Sequence, residues 1–114
     1  MVASTPLGLF LLLVMGHCLC DYPLQTTFIA QAKCRRPDAQ VPWAWVMLGH
    51  AGTHGLAVAL LTGSIALGVA ETVVHGFIDD AKCRGLINFN QDQTLHVLCK
   101  LVWVLLLPVM PWAL

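Results

Sequence analysis

Residues 43–82 are the most informative about the fold, and they read WAWVMLGHAGTHGLAVALLTGSIALGVAETVVHGFIDDAK. It contains two apolar segments, at 43–61 and 64–82, which are joined by Thr62 and Gly63. A helix needs about 20 residues to cross a bilayer core of about 30 Å, so both segments lie near that limit. The stretch therefore predicts two membrane helices, or else one hairpin that does not fully cross.

The composition of the whole chain favours a protein embedded in a lipid bilayer. Hydrophobic residues make up 58% of the 114 residues and charged residues only 11%. Soluble domains contain about 25% charged residues, so this chain lacks the charge to cover a surface that faces water. The net charge is zero and no basic tail is present, so we expect no binding to nucleic acid.

Two further apolar segments flank the central stretch, at 6–32 and 91–112. Pro6 suits a first helical turn, whereas Pro23 should kink or break the first helix near Leu19. No Lys or Arg precedes this segment and no A-x-A-like site follows it, so we expect a retained helix rather than a signal peptide. The expected fold class is all-α: an integral membrane bundle of about four transmembrane helices, forming a single domain over residues 1–114.

The cysteine pattern favours reduced thiols. The chain has five cysteines, an odd number, and no CxxC pair occurs. This pattern does not indicate a disulfide framework, and it fits a reduced or membrane-buried setting. We therefore expect small apolar packing residues. They are Cys18, Cys20, Cys34, Cys83 and Cys99.

Basic residues cluster in the two segments that follow the first and third predicted helices. By the positive-inside rule both segments are cytoplasmic, and both termini then face the other side. Trp43 and Trp45 should lie at the cytoplasmic interface and Trp112 at the opposite interface, as expected for aromatic belts. The basic residues are Lys33, Arg35, Arg36, Lys82 and Arg84.

Every histidine has an acidic or histidine partner four residues away in the sequence. Residues at this spacing share one face of a helix, so each predicted helix presents one polar pair. The predicted topology places all four pairs in the cytoplasmic half of the membrane, where they can form one layer. The pairs are His17–Asp21, His50–His54, His75–Asp79 and Asp92–His96, and Glu71 also precedes His75 by four residues.

These eight side chains are the candidate metal ligands. Imidazole and carboxylate groups together suit zinc, iron or manganese, and eight ligands exceed one tetrahedral set. We therefore predict one or two divalent transition-metal ions, with Glu71 as a ligand, as a partner of a ligand, or as a base. The alternative is a hydrogen-bonded His–Asp network that only joins the helices.

Lys100 continues the polar face of the last helix, four residues after His96. One interpretation is that its side chain extends along the helix to reach the cytoplasmic interface. The other is that it holds an anionic group of a substrate against the metal, where it stabilises negative charge. The two interpretations are left open by the sequence.

The chain resembles a bacterial and phage family of small membrane proteins, the domain of unknown function numbered 3307. The resemblance covers about residues 14 to 105, and it implies a multi-pass protein of the bacterial inner membrane with a His/Asp site. It names no reaction. The motifs that carry it are His17-x-x-x-Asp21-Tyr22-Pro23-Leu24-Gln25, His50-x-x-x-His54, His75-Gly76-Phe77-Ile78-Asp79 and Asp92-Gln93-x-x-His96.

Three functions follow from these features. The first is a metal-dependent hydrolase that acts on a lipid or a lipid-linked phosphoryl or acyl group, with Glu71 and Lys100 as catalytic residues. The second is a metal or proton transporter, which the apolar segments 9–14 and 104–109 disfavour, because a transporter needs polar groups through to the far side. The third is a holin-like phage membrane protein without enzymatic activity.

Overall fold

The computed structural model of the protein describes residues 3–38 and 40–110. Within these ranges the chain forms five α-helices and no strand, which confirms the all-α prediction. The helices are α1 at Pro6–Asp21, α2 at Thr27–Ala32, α3 at Trp43–Thr62, α4 at Ile65–Cys83 and α5 at Phe89–Leu106, followed by a 3-10 turn at Leu107–Val109.

Pro23 divides the first predicted helix into α1 and α2. A proline has no backbone N–H to donate, and its ring would meet the carbonyl of Leu19, four residues earlier. The α-helix therefore ends at Asp21, and the chain resumes a helix only at Thr27. The predicted break is confirmed, and it lies two residues beyond Leu19.

Polar residues and one glycine fix the ends of the remaining helices. Gly63 ends α3 with a positive φ of 72°, and Ser64 then caps α4 by accepting a hydrogen bond from the Leu67 backbone N–H. Asn88 and Gln91 form a capping box in which each side chain accepts from the other's backbone N–H. This cap starts α5 at Phe89, two residues before the predicted start.

The four long helices form an antiparallel bundle. α1 and α4 each pack against both α3 and α5, and the short α2 lies against α3. The C-terminal halves of α1 and α4 therefore meet the N-terminal halves of α3 and α5 at one end of the bundle. The opposite end is an apolar core, formed by Leu9, Leu13, Val58, Leu67, Trp103 and Val104.

Two glycines allow α3 and α4 to approach closely. A Cβ added at Gly55 would lie 2.5 Å from the carbonyl oxygen of Gly68 and would also overlap Thr72. A Cβ added at Gly68 would lie 2.7 Å from both the Gly55 carbonyl oxygen and the Ala59 Cβ. Small residues at such a crossing let two backbones touch, and this contact fixes the spacing between the histidines of the two helices.

The described part of the bundle buries more polar than hydrophobic side chains, and its outer surface is largely apolar. Among the described residues, thirteen buried side chains are polar or charged and ten are hydrophobic. Large apolar side chains face outward instead, for example Leu7, Leu56 and Phe77, which are 67%, 59% and 73% exposed. This is the reverse of the usual arrangement in soluble domains, whose buried residues are mainly hydrophobic.

Two helices of the described chain are long and apolar enough to cross a membrane, Trp43–Thr62 and Phe89–Val109. The prediction of about four such helices is wrong by this criterion. α1 has 16 residues, or about 24 Å at 1.5 Å per residue, and α4 carries four charged side chains. Trp112, the predicted end of the last helix and an expected interface residue, lies outside the described residues.

A disulfide joins the two basic segments. Cys34 follows α2 and Cys83 ends α4, and their Cα atoms lie 5.1 Å apart despite a sequence separation of 49 residues. The prediction of reduced cysteines is therefore wrong for this pair, because the segment after α2 folds over the end of α4. Cys18, Cys20 and Cys99 are free thiols.

Replacing Gly55 with alanine should lower the free energy of unfolding by about 1–3 kcal/mol, the usual cost of overpacking. Gly52 on the same helix is the matched control, because a Cβ there would have no neighbour within 4 Å. Gly52→Ala should be neutral or slightly stabilising, since alanine favours helices. Thermal unfolding of both purified variants in detergent measures the difference, and equal melting temperatures would contradict the proposed contact.

Candidate metal centre

All eight predicted ligands meet in one buried layer of the bundle. The antiparallel arrangement places the end of α1 beside the start of α3, and the end of α4 beside the start of α5. Each of the eight side chains is at most 8% exposed. All five histidines contribute the same ring nitrogen, Nε2, to the contacts of the layer. The predicted meeting of the four pairs is thus what the structure shows.

The group formed by Asp21, His50, His54 and His75 has the spacing of a metal site. The Nε2 atoms of His50 and His75 lie 3.3 Å apart, and Asp21 Oδ1 lies 3.2, 2.9 and 3.9 Å from the Nε2 atoms of His50, His54 and His75. Ligands 2.0–2.1 Å from a tetrahedral ion are about 3.3 Å from one another. These four buried residues could therefore hold one metal ion.

Two further groups adjoin the first and share residues with it. They could also hold an ion, but each contains only three ligands. Asp92 Oδ1 has no hydrogen-bond partner among the described residues although the side chain is buried, and it faces His96 Nε2 at 3.4 Å. A buried carboxylate oxygen without a donor favours a bound cation. The groups are His17–His75–His96 and Asp21–Asp92–His96.

Asp79 is the one predicted ligand that belongs to none of these groups. Its Oδ2 accepts a hydrogen bond from Lys33 Nζ at 2.6 Å, and its Oδ1 lies 3.0 Å from His96 Nε2. The same Oδ2 lies 3.3 Å from the Nε2 atoms of His50 and His75. Asp79 thus connects the ligand layer to the basic segment after α2.

Glu71 lies one helical turn before His75 and orients its ring. Glu71 Oε1 is 3.3 Å from His75 Nδ1, so the Nδ1 proton faces the carboxylate and Nε2 is left free to bind an ion. Glu71 also accepts hydrogen bonds from Lys100 Nζ at 2.7 Å and from Trp103 Nε1 at 2.6 Å. Of the three roles predicted for Glu71, this geometry favours that of a hydrogen-bond partner of a metal ligand, His75.

Lys100 is buried, at 1% exposure, and its ammonium group lies between Glu71 and the His96 carbonyl oxygen. It does not reach the surface of the bundle at the basic end. The negative charge expected beside it comes from Glu71, a residue of the chain, rather than from a substrate. This pairing leaves the ammonium group with two acceptors already in place.

Gln93 connects two helices across the layer. Its Nε2 donates to Asp21 Oδ2 and to Asp92 Oδ2, both at 3.0 Å. Its Oε1 lies 3.0 Å from both His17 Nε2 and the Tyr22 hydroxyl. Gln93 therefore orients the carboxylates of both α1 and α5.

The net charge of the layer matches one divalent cation. With Glu71 included, four carboxylates and two lysines are buried in or beside it. Taking the carboxylates as ionised, the lysines as protonated and the histidines as neutral, two negative charges remain. Buried charges require compensation, and one divalent ion supplies it. A second divalent ion would require two further negative charges from a bound anion.

The match to the family described as Protein of unknown function (DUF3307) covers residues 9–112. The chain belongs to this family. Comparison with curated proteins and with solved structures finds no match. This match confirms the family predicted from the motifs, and those motifs contain all eight residues of the ligand layer.

Three residues that complete the centre are not among the predicted site residues: Lys33, Gln93 and Trp103. Gln93 follows Asp92 inside a motif, and Trp103 lies one turn after Lys100, so helical spacing could have indicated both. Lys33 carries no such signal, because it reaches Asp79 only when the segment after α2 folds across the end of α4.

Replacing Asp21 with asparagine should abolish stable metal binding, because this carboxylate belongs to two of the three groups. Loss of a residue that only orients a ligand costs about 10–100-fold in affinity, and loss of the ligand itself should cost more. Asp38→Asn is the matched control, since Asp38 is exposed and pairs with Arg36. Elemental analysis after loading with zinc, iron or manganese should find about one ion per chain in wild type and control.

The metal prediction has two outcomes that would contradict it. One is a folded wild-type protein that takes up none of the three metals. The other is equal metal content in the Asp21→Asn and Asp38→Asn variants.

Lys100→Met should destabilise the protein by about 3–5 kcal/mol, because it leaves the Glu71 carboxylate buried without its cation. Adding Glu71→Gln should recover much of this loss, since the neutral amide needs no counter-charge. A double-mutant cycle of unfolding free energies measures the coupling between the two residues. Strictly additive effects would show that the pair is not coupled.

Proposed function

We propose that the protein is a membrane-embedded metalloprotein that hydrolyses a lipid or a lipid-linked phosphoryl or acyl group. The observation that supports the proposal is the buried layer of convergent histidine nitrogens and carboxylates. A network that only joined helices would not need four buried ligand atoms within 4.8 Å of one another.

The apolar exterior supports placement in a membrane. Outward-facing leucines, valines and phenylalanines cover the helices, while ionisable groups are turned inward. Ionisable groups in a bilayer normally face the interior of a helical bundle, and they mark functional sites there. Two helices have the length and composition to cross. α1 and α4 would then lie against them, with α4 turning Glu71 and Asp79 toward the bundle interior.

Two features of the basic end, where the segments after α2 and α4 meet, bear on the orientation in the membrane, and they point in opposite directions. The positive-inside rule assigns the segments around Arg35 and Arg84 to the cytoplasm, whereas stable disulfides form mainly outside it. A reversible Cys34–Cys83 bond satisfies both, because cytosolic disulfides are usually transient. We assign this end to the cytoplasmic face of a bacterial inner membrane. Thiol labelling from each side of sealed vesicles, before and after reduction, tests the assignment.

The four-ligand group, Glu71 and Lys100 have distinct roles in this proposal. A bound divalent ion would supply a polarised water or hydroxide near neutral pH. Asp21, His50 and His54 would hold the ion together with His75, whose ring Glu71 orients. Glu71 is therefore assigned as a positioning residue, and Lys100 compensates its charge instead of contacting substrate.

The apolar core disfavours the alternative of a metal or proton transporter. Transport requires polar groups on both sides of the buried layer, as in intramembrane proton relays. The end of the bundle beyond Glu71 is instead packed with apolar side chains, including Leu13, Val58 and Leu67. A polar path that ends at the ligand layer suits a reaction whose substrate enters and whose product leaves from the same side of the membrane.

The proposal is tested by supplying lipids to the metal-loaded protein in lipid nanodiscs. Bacterial membrane lipids and lipid-linked phosphates are incubated with wild type, Asp21→Asn and Asp38→Asn, and products are identified by mass spectrometry. We expect a hydrolysed head group or acyl chain with wild type and Asp38→Asn only. Metal-loaded protein that releases no product from any of these lipids would contradict the hydrolase and leave the metal centre intact.

A further inference from the structure

A small cavity opens at the basic end of the bundle, directly beside the ligand layer. Its volume is about 240 Å³, and Asp79 forms its inner wall. Sites for drug-sized ligands have volumes of about 300–1,000 Å³, so this cavity suits a single head group or a small anion. The residues around it are Gln25, Ala30, Lys33, Cys34, Asp79, Lys82 and Cys83.

Lys82 is the cation of this cavity that is free to bind a ligand. In the described ranges, every other lysine or arginine has a carboxylate within 4.0 Å, and Lys82 has none. Its ammonium group instead lies 5.1 Å from the centre of the Phe89 ring. Lys33, on the inner side of the same cavity, is held by Asp79 at 2.6 Å.

Gln25 provides an unused acceptor in the cavity wall. Its Nε2 donates to the backbone carbonyl of Asp21 at 3.1 Å, which leaves Oε1 without a donor among the described residues although the atom is buried. Buried acceptors are normally satisfied, so this oxygen favours a ligand that carries a hydroxyl group. The cavity thus combines a free cation with an acceptor for O–H.

The geometry points to a binding site for the phosphate of a hydroxyl-bearing phosphate ester, which Lys82 anchors beside the metal centre. This inference rests on the proposed metal centre. With its histidines neutral, the layer without a metal carries two excess negative charges and repels an anion, whereas a divalent ion neutralises it. Anion binding should therefore require the metal, and the anion should strengthen metal binding by the same factor.

The disulfide contributes to the shape of this site. Cys34 and Cys83 both lie in the cavity wall, and their bond fixes the segment that carries Lys33 against the end of α4. Lys82 and Cys83 are consecutive, so the same bond restrains the position of the anchoring lysine. Reduction of the disulfide should weaken anion binding without removing any charged group.

The experiment measures binding of glycerol phosphate to the purified full chain by calorimetry, with and without zinc. A second arm uses vesicles of phosphatidylglycerol, whose phosphate ester head group carries free hydroxyl groups, and of phosphatidylcholine, whose phosphate ester head group carries none. Lys82→Gln should weaken anion binding about tenfold, the effect of losing one charge-assisted hydrogen bond. Arg84→Gln is the matched control, because Arg84 is in the same segment, pairs with Asp80 and does not line the cavity.

Each outcome has a distinct meaning for the site. Zinc-dependent binding that Lys82→Gln weakens and Arg84→Gln does not supports it, with the soluble ester or the vesicle as the source according to which arm binds. Equal losses in the two variants, or equal binding without zinc, would overturn it. Zinc binding without any anion binding overturns this inference alone, whereas a chain that binds no zinc overturns the metal centre as well.

Discussion

Compensation of buried negative charge is the constraint on which this structure depends. Four carboxylates are held in the interior of a small bundle, where an isolated ionised group would be costly. Lys100 compensates Glu71, and Lys33 compensates Asp79. The charge that remains is centred on Asp21 and Asp92, and the nearby imidazole nitrogens make this region suitable for a cation.

One end of the bundle is polar inside and the other is apolar, because the helices alternate in direction. Polar residues late in α1 and α4 can meet polar residues early in α3 and α5 only in an antiparallel arrangement. The same arrangement collects the apolar halves into a core at the other end. Close contact at Gly55 and Gly68 then sets the distance between the histidines of α3 and α4.

Partners within the chain change the interpretation of the two residues predicted to be catalytic. Lys100 was expected to extend to an interface or to bind a substrate anion, but Glu71 occupies its ammonium group. Glu71 in turn orients His75 and accepts from Trp103. The cation available to a ligand is Lys82, at the mouth of the layer. The anion-binding role that the sequence suggested for Lys100 is therefore proposed for Lys82, near the end of α4.

The sequence alone predicted the all-α class, the helix break at Pro23, the DUF3307 family and all seven residues of the metal-capable groups. It could do so because helical spacing of four residues and the rigidity of proline are local properties. The tertiary structure was needed to find the Cys34–Cys83 disulfide, the Lys33–Asp79 and Lys100–Glu71 pairs, and the position of Asp79 outside the groups. These features depend on contacts between residues that are 17 to 49 positions apart, and periodicity along a single helix carries no information about such contacts.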